Sequence, residues 1–108
     1  MVKLTSNVQS LDPLAELFKL LSDGTRLRIL SLLSKGERNV GSLCEELDLP
    51  QPTVSHHLGL LRMKSIIINR RSGKQVFYGL DGHVFTGPDQ SMEIRSDGYS
   101  IRIAGPTD

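Results

Sequence analysis

Cysteine occurs once in the 108 residues, at Cys44. No intramolecular disulfide can form, and the paired thiolates of a zinc knuckle or ribbon are absent. A redox or thiolate-metal role for Cys44 would need a second subunit. No apolar run approaches the roughly 18 residues of a membrane span, and the N-terminus carries neither the basic-then-apolar pattern of a secretory signal nor an Arg-rich transit pattern. No membrane partner is expected, and a cytoplasmic location is. A glycine-rich phosphate loop, a nucleophile elbow and a metal-base helix motif are also missing, and a chain of this length does not enclose a pocket of the usual size alone. Catalysis is therefore not expected.

A further absence is local. Between Leu49 and Leu80 there is no Asp or Glu, while Arg62, Lys64, Arg70, Arg71 and Lys74 fall in that stretch. The formal net charge of +1 thus hides a basic segment on a body with eight basic and twelve acidic residues. A concentrated positive patch of this kind is an electrostatic footprint for a polyanion, and its bland reading is a solvated basic face. The hydrophobic fraction of 38% and charged fraction of 23% suit one globular domain with a modest core, which a partner subunit would help to stabilise.

The chain is organised around Leu49 to Arg62, LPQPTVSHHLGLLR. Val54, Leu58 and Leu61 recur at helical spacing, and Gln51, Thr53, Ser55, His56 and Arg62 fall elsewhere on the wheel. Pro52 suits the first helical position and Pro50 keeps the chain extended before it. A helix exposing hydroxyls, an amide and imidazoles but no carboxylate can lie against acceptors and negative charge, as in the major groove of DNA.

Leu11, Leu14, Leu17, Phe18 and Leu21 predict a first helix with Asp12 and Pro13 as N-cap and first residue. Residues 1–10 are expected to be a flexible N-terminus. Ser22 to Thr25 interrupts, and a second helix from about Thr25 to Ser34 is apolar on more than one side, as a central core helix is. Asn39 caps a third helix, Val40 to Leu47, and Asp48 to Pro50 turns into the organising helix, giving a helix-turn-helix. Then the period changes. Ile66 to Ile68 and Val76 to Tyr78 are β-prone runs around a turn-like Arg70 to Gly73, which predicts a hairpin with a basic tip, the wing of a winged helix.

From Asp81 the pattern differs again. Gly82, Gly87 and Pro88 suggest an irregular connection, and Asp97-Gly98 between two alternating runs predicts a hairpin with a type I′ turn. Counting outward pairs Ser96 with Tyr99, Ile94 with Ile101, Glu93 with Arg102 and Met92 with Ile103, apolar against apolar and acid against base. A lone hairpin cannot shelter its apolar face, which should pack on the helices or on a second subunit.

From about Leu14 to Leu80 the sequence resembles the ArsR/SmtB family of bacterial winged-helix repressors. LFKLLSDGTRLRILSLL is similar to its opening helices, SLCEELDLPQPTVSHHLGLLR to its helix-turn-helix and NRRSGKQVFYGL to its wing. The resemblance implies a homodimeric, sequence-specific repressor that binds double-stranded DNA at an operator inverted repeat and releases it when an effector binds. It places base-reading positions at Gln51, Thr53, Ser55 and His56. The chemistry agrees, since an amide can bind adenine bidentately and hydroxyls and imidazole reach base-edge or phosphate acceptors. Arg62, Arg70, Arg71 and Lys74 would hold phosphates and carry the salt dependence. The alternative for Gln51 is turn capping, and for His56 and His57, above all His57 beside Leu58, a place against the core.

Three positions depart from the family pattern. Gly24 stands where proline is common, Ser65 where glycine closes the recognition helix, and the tail predicts a hairpin where a closing helix is usual. The expected fold is mainly α with β-hairpins, a winged helix-turn-helix at 11–80 and a C-terminal extension at 81–108 that belongs to the same domain or to a dimer interface. No metal or cofactor is expected. Asn39 and Gly41 occupy the places of the family's thiolates, and Asp81-Gly82-His83 lacks the further histidine that would complete its second site. Neighbouring Glu45 and Glu46 disfavour a Cys44 thiolate, so Cys44 is expected as a small, partly buried apolar side chain. The alternatives to a repressor are a winged-helix module that binds another protein, and an enzyme or thiol switch at Cys44.

Overall fold

The structure, a computed structural model, describes residues 11–105. The expectation for residues 1–10, and the end of the extension at 106–108, lie outside the described residues. The described residues hold four helices: α1 (Leu11–Leu21), α2 (Gly24–Leu33), α3 (Val40–Leu47) and α4 (Gln51–Met63). Strand β1 (Arg38–Asn39) precedes α3, and β2 (Ile67–Ser72), β3 (Gln75–Leu80), β4 (Val84–Thr86), β5 (Met92–Ser96) and β6 (Tyr99–Ile103) follow α4.

Helix boundaries follow local chemistry. Asp23, in extended conformation, caps α2 by accepting from the Arg26 backbone N–H at 3.0 Å, and Asn39 caps α3 by accepting from the Ser42 N–H at 2.7 Å. α1 already includes Leu11, so Asp12 and Pro13 sit in its first turn and not at its cap. The favourable place of an acid in the first turn is kept.

The helices and the wing share one core. Leu17, Ile29, Leu30, Leu43, Val54, Leu58, Leu61, Ile66 and Ile67 are each almost completely buried, so α3 and α4 pack by the inward faces expected of them, whereas on the expected face of α1 Leu17 and Leu21 are buried but Leu11 and Phe18 stay exposed, as does Leu27 of α2. Cys44 is partly buried against this cluster.

The strands form two antiparallel sheets, ordered β1-β3-β2 and β4-β5-β6. In the wing, Ser72 pairs with Gln75, so the turn is Gly73-Lys74 alone, with Gly73 at φ 62°. A glycine of positive φ opening a two-residue turn matches the twist that hairpin strands require. Arg70 and Arg71 consequently lie within β2 and not in the turn, and they point to opposite faces of the wing because successive strand residues alternate.

In the C-terminal sheet the register counted from Asp97-Gly98 is observed pair for pair, and both turn residues have positive φ, 53° and 81°. The extension is larger than a hairpin. β4, in the stretch read as irregular, pairs Val84 with Ile94 and Thr86 with Met92. A three-residue β-branched and aromatic run between glycines was too short to show a period. The apolar face packs on the helices: Val84 and Ile94 are buried in the same cluster as α1 to α4, with Met92 and Ile101 partly buried against it.

Candidate nucleic-acid interface

The turn between α3 and α4 fixes the position of α4. Asp48 takes a left-handed conformation (φ 55°), which lets the Leu49 N–H donate to the Cys44 carbonyl at 3.2 Å and the Asp48 N–H to the Glu45 carbonyl at 3.3 Å. These two bonds close α3 in a Schellman arrangement. Pro50 is then the N-cap of α4, accepting from the Thr53 and Val54 N–H groups, so Gln51 is the first helical residue and Pro52 the second. The expected placement of Pro52 is thus one residue early, and proline is tolerated at either position because both N–H groups lack intrahelical partners.

Val54, Leu58 and Leu61 turn inward, and Gln51, Thr53, Ser55, His56 and Arg62 are all exposed. No side chain caps the start of α4, so the Gln51 amide is not held in the turn by such a bond. His57 parts from His56. Its side chain is 14% exposed, with Nδ1 3.5 Å from an Arg26 guanidinium nitrogen and 4.0 Å from the Asp23 carboxylate. Arg26 in turn donates through Nε to the Leu20 carbonyl at 2.6 Å. His57 therefore joins α4 to the α1–α2 junction and stays out of the exposed row.

Two residues of this surface escaped the sequence reading. Gly59 sits mid-helix on the exposed side, where an added Cβ would meet nothing within 4 Å, and it opens a shallow dent bordered by Ser55, His56, Arg62 and Met63. The signal was present, since a glycine inside a helical pattern needs a reason. The other is Glu37. Its carboxylate accepts from Arg70 at 2.8, 3.0 and 3.1 Å, and its stem lies over Gly79, where an added Cβ would approach the Glu37 Cγ to 3.2 Å.

The pair with Glu37 separates Arg70 from the other predicted cations. Hydrogen bonds from Arg70 hold the Glu37 carboxyl below its usual value, and the same bonds raise Arg70. The guanidinium carbon also lies 5.0 Å from the centre of the Phe77 ring. Arg62, Arg71 and Lys74 are exposed and form no ion pair among the described residues, and Lys64 approaches Asp97 at 3.8 Å.

No group of three or more His, Cys, Asp or Glu side chains is gathered among the described residues. Asn39 commits its side-chain oxygen to the α3 cap. Asp81 and His83 engage each other, with the His83 backbone N–H at 2.9 Å and Nδ1 at 2.6 Å from the same carboxylate oxygen. The backbone bond is the leading cause of the lowered Asp81 pKa, with the ring bond next. No helix among the described residues is long and apolar enough to cross a membrane.

Residues 23–67, which hold α2, the helix-turn-helix and the start of the wing, match the sequence profile described as "Bacterial regulatory protein, arsR family". The arsenical resistance operon repressor of Escherichia coli is 49% identical over 70 residues, covering 64% of this chain and 60% of that protein. The transcriptional repressor SdpR of Bacillus subtilis is 38% identical over 64 residues, covering 59% of this chain and 71% of that one. The homodimeric winged helix-turn-helix DNA-binding domain of Mb0332 from Mycobacterium bovis superimposes with a TM-score of 0.62 at 35% identity, over 67% of each chain.

Proposed function

Because the chain belongs to the arsR family of bacterial regulatory proteins, we propose that it is a cytoplasmic, sequence-specific DNA-binding regulator, a homodimeric repressor acting on an operator inverted repeat. The observation that carries the reading is the outer surface of α4 and the wing. A helix anchored by Val54, Leu58 and Leu61 presents a carboxylate-free polar row beside Arg62, Arg71 and Lys74, which form no ion pair among the described residues.

In this reading Gln51, Thr53, Ser55 and His56 contact base edges in the major groove, and Arg62, Arg71 and Lys74 contact phosphates. Arg70 joins them only when DNA competes with Glu37. Residues 11–80 form the DNA-binding domain, and the extension that begins at 81 adds Val84 and Ile94 to its core. No metal takes part, since neither Asn39 nor Gly41 offers a thiolate. The repressor names of the Escherichia coli and Bacillus subtilis relatives and the homodimer of the Mycobacterium bovis domain support the reading.

The test is fluorescence anisotropy with a duplex from the chain's own upstream region and a scrambled duplex, at two salt concentrations. The native duplex should be preferred, and the double variant Arg71→Ala/Lys74→Ala, which removes two phosphate contacts from each subunit of the dimer, should flatten the slope of log K against log salt by about 3.6, at roughly 0.9 per phosphate. A folded protein that binds neither duplex at low salt would instead favour a protein-binding winged helix.

A further inference from the structure

The C-terminal sheet ends in β6, an open edge. Among the described residues no strand pairs with the outer side of Tyr99–Ile103. This edge has five residues, no proline and no bulge, whereas the opposite edge strand, β4, has three. An unprotected edge of this length is a template for another strand.

Its polar groups follow from the turn. Residues flanking a two-residue hairpin turn form a hydrogen-bonded pair, so Tyr99, Ile101 and Ile103 direct their N–H and C=O groups to β5. The same parity appears in β5, where the Arg95 N–H donates to the His83 carbonyl on the β4 side. Ser100 and Arg102 therefore present their backbone groups outward.

We infer that two copies of this chain meet through β6, pairing antiparallel about Ile101 to join their C-terminal sheets into one of six strands. This rests on the homodimer of the proposed function and names the surface that forms it.

The choice of occupant comes from the strand itself. With the two-fold axis at Ile101, Tyr99 faces Ile103, Ile101 faces Ile101 and Ser100 faces Arg102 of the second copy. Apolar residues then meet on the inner face and no like charges meet. Ser100 and Arg102 are also the residues whose backbone groups point outward, so the hydrogen-bonded pairs coincide with the exposed donors and acceptors. An axis one residue further on would set Arg102 against Arg102. One residue back, it would set Ile103 against Asp97. The inner face adds a place for the partner's side chains, because Leu27 of α2 and Ile103 are 42% and 37% exposed and border a groove of about 480 Å³ between α2 and this sheet. Tyr99 of the second copy, opposite Ile103, enters on that side.

The test uses the full chain without DNA. Sedimentation should find a dimer at micromolar concentration. Ser100→Pro removes an outward N–H without touching the β5 ladder, as proline on an edge strand permits, and should raise the dimer Kd at least tenfold. Ser100→Glu, facing Arg102 of the other copy, should lower it. In a Cys44→Ser background, Ile101→Cys should form a disulfide-linked dimer under a mild oxidant, because a non-hydrogen-bonded antiparallel pair brings Cα atoms to about 4.5 Å, within disulfide range. Phe18→Cys on exposed α1 should not crosslink. A monomeric wild type, a dimer indifferent to Ser100→Pro, or crosslinking through residue 18 in place of 101 overturns the inference. Should Ser100→Pro fail to fold, the crosslinking pair decides alone. Loss of DNA binding with the dimer intact refutes only the proposed function, and DNA binding by a dimer that ignores these variants refutes only the β6 interface.

Discussion

Glu37 and Arg70 lock together in a fork-like pair, with the Arg70 Nε and Nη2 groups both donating to one carboxylate. The pair stands midway along the wing, where Arg70 is opposite Phe77, and Gly79 makes room for the Glu37 stem. Arg70 is thus removed from the pool of free cations, and a nearby negative charge opposes any polyanion. Glu37→Gln should strengthen DNA binding by about threefold to tenfold at low salt and steepen the salt dependence by about one phosphate contact per subunit. Anisotropy titrations at several salt concentrations check both. Folding should change little, because the pair is exposed.

Asp23 carries the acid sensitivity of the α1–α2 junction. The Arg26 backbone N–H is the main cause that holds its carboxyl below the ordinary value of 3.8, with the Arg26 and His57 charges acting in the same direction. A folded pKa below the unfolded one gives stability that is present above the unfolded value and is lost as pH falls through the folded value. Asp23→Asn keeps an N-cap acceptor but does not titrate. The melting temperatures of wild type and this variant should differ at pH 6 and converge as pH falls below 3.8 and through the lower folded value.

Ser65 holds φ 58°, a conformation that costs a residue with a Cβ about 1 kcal/mol relative to glycine. It follows α4, donates to the Arg62 carbonyl at 3.0 Å and is exposed, so nothing rewards the hydroxyl with a bond among the described residues. Ser65→Gly should raise Tm by about 4–8 °C, the shift expected for roughly 1 kcal/mol in a domain of this size. Thermal unfolding followed by circular dichroism reads it, and the DNA affinity should stay unchanged.

What the sequence disclosed and what it hid divide along one physical line. Features set by near neighbours were legible: the Asn39 cap, the inward triplet of α4, and the Asp97-Gly98 turn with its entire register. Features set by distant residues were not. Arg70 reads as one more wing cation until the β1–β3 pairing brings Glu37 beside it, 33 residues earlier in the chain. His57 differs from His56 only because α4 docks its flank on Asp23 and Arg26. β4 was hidden for another reason, since three residues are too few to display alternation and its partner lies beyond an irregular loop. Of the residues proposed for the interface, the exposure of Gln51, Thr53, Ser55, His56, Arg62, Arg71 and Lys74 followed from periodicity and composition. Glycine at 59 drew no reading, although a glycine inside a helical pattern is a local weakness.

That weakness supplies the sharpest test of the interface. In the free chain a Cβ at position 59 meets open space, so Gly59→Ala should stabilise α4 by roughly 1 kcal/mol through helix propensity alone. The same position floors the dent between Ser55, His56 and Arg62, where a backbone without a side chain lets a DNA surface come close. If α4 lies in the major groove with this side inward, the added methyl group holds the helix away from the base edges. Gly59→Ala should then raise Tm while weakening binding of the native duplex by about tenfold or more, with the scrambled duplex much less affected. A variant that gains stability and keeps full affinity would place the groove-facing side of α4 elsewhere, toward Gln51 and Thr53.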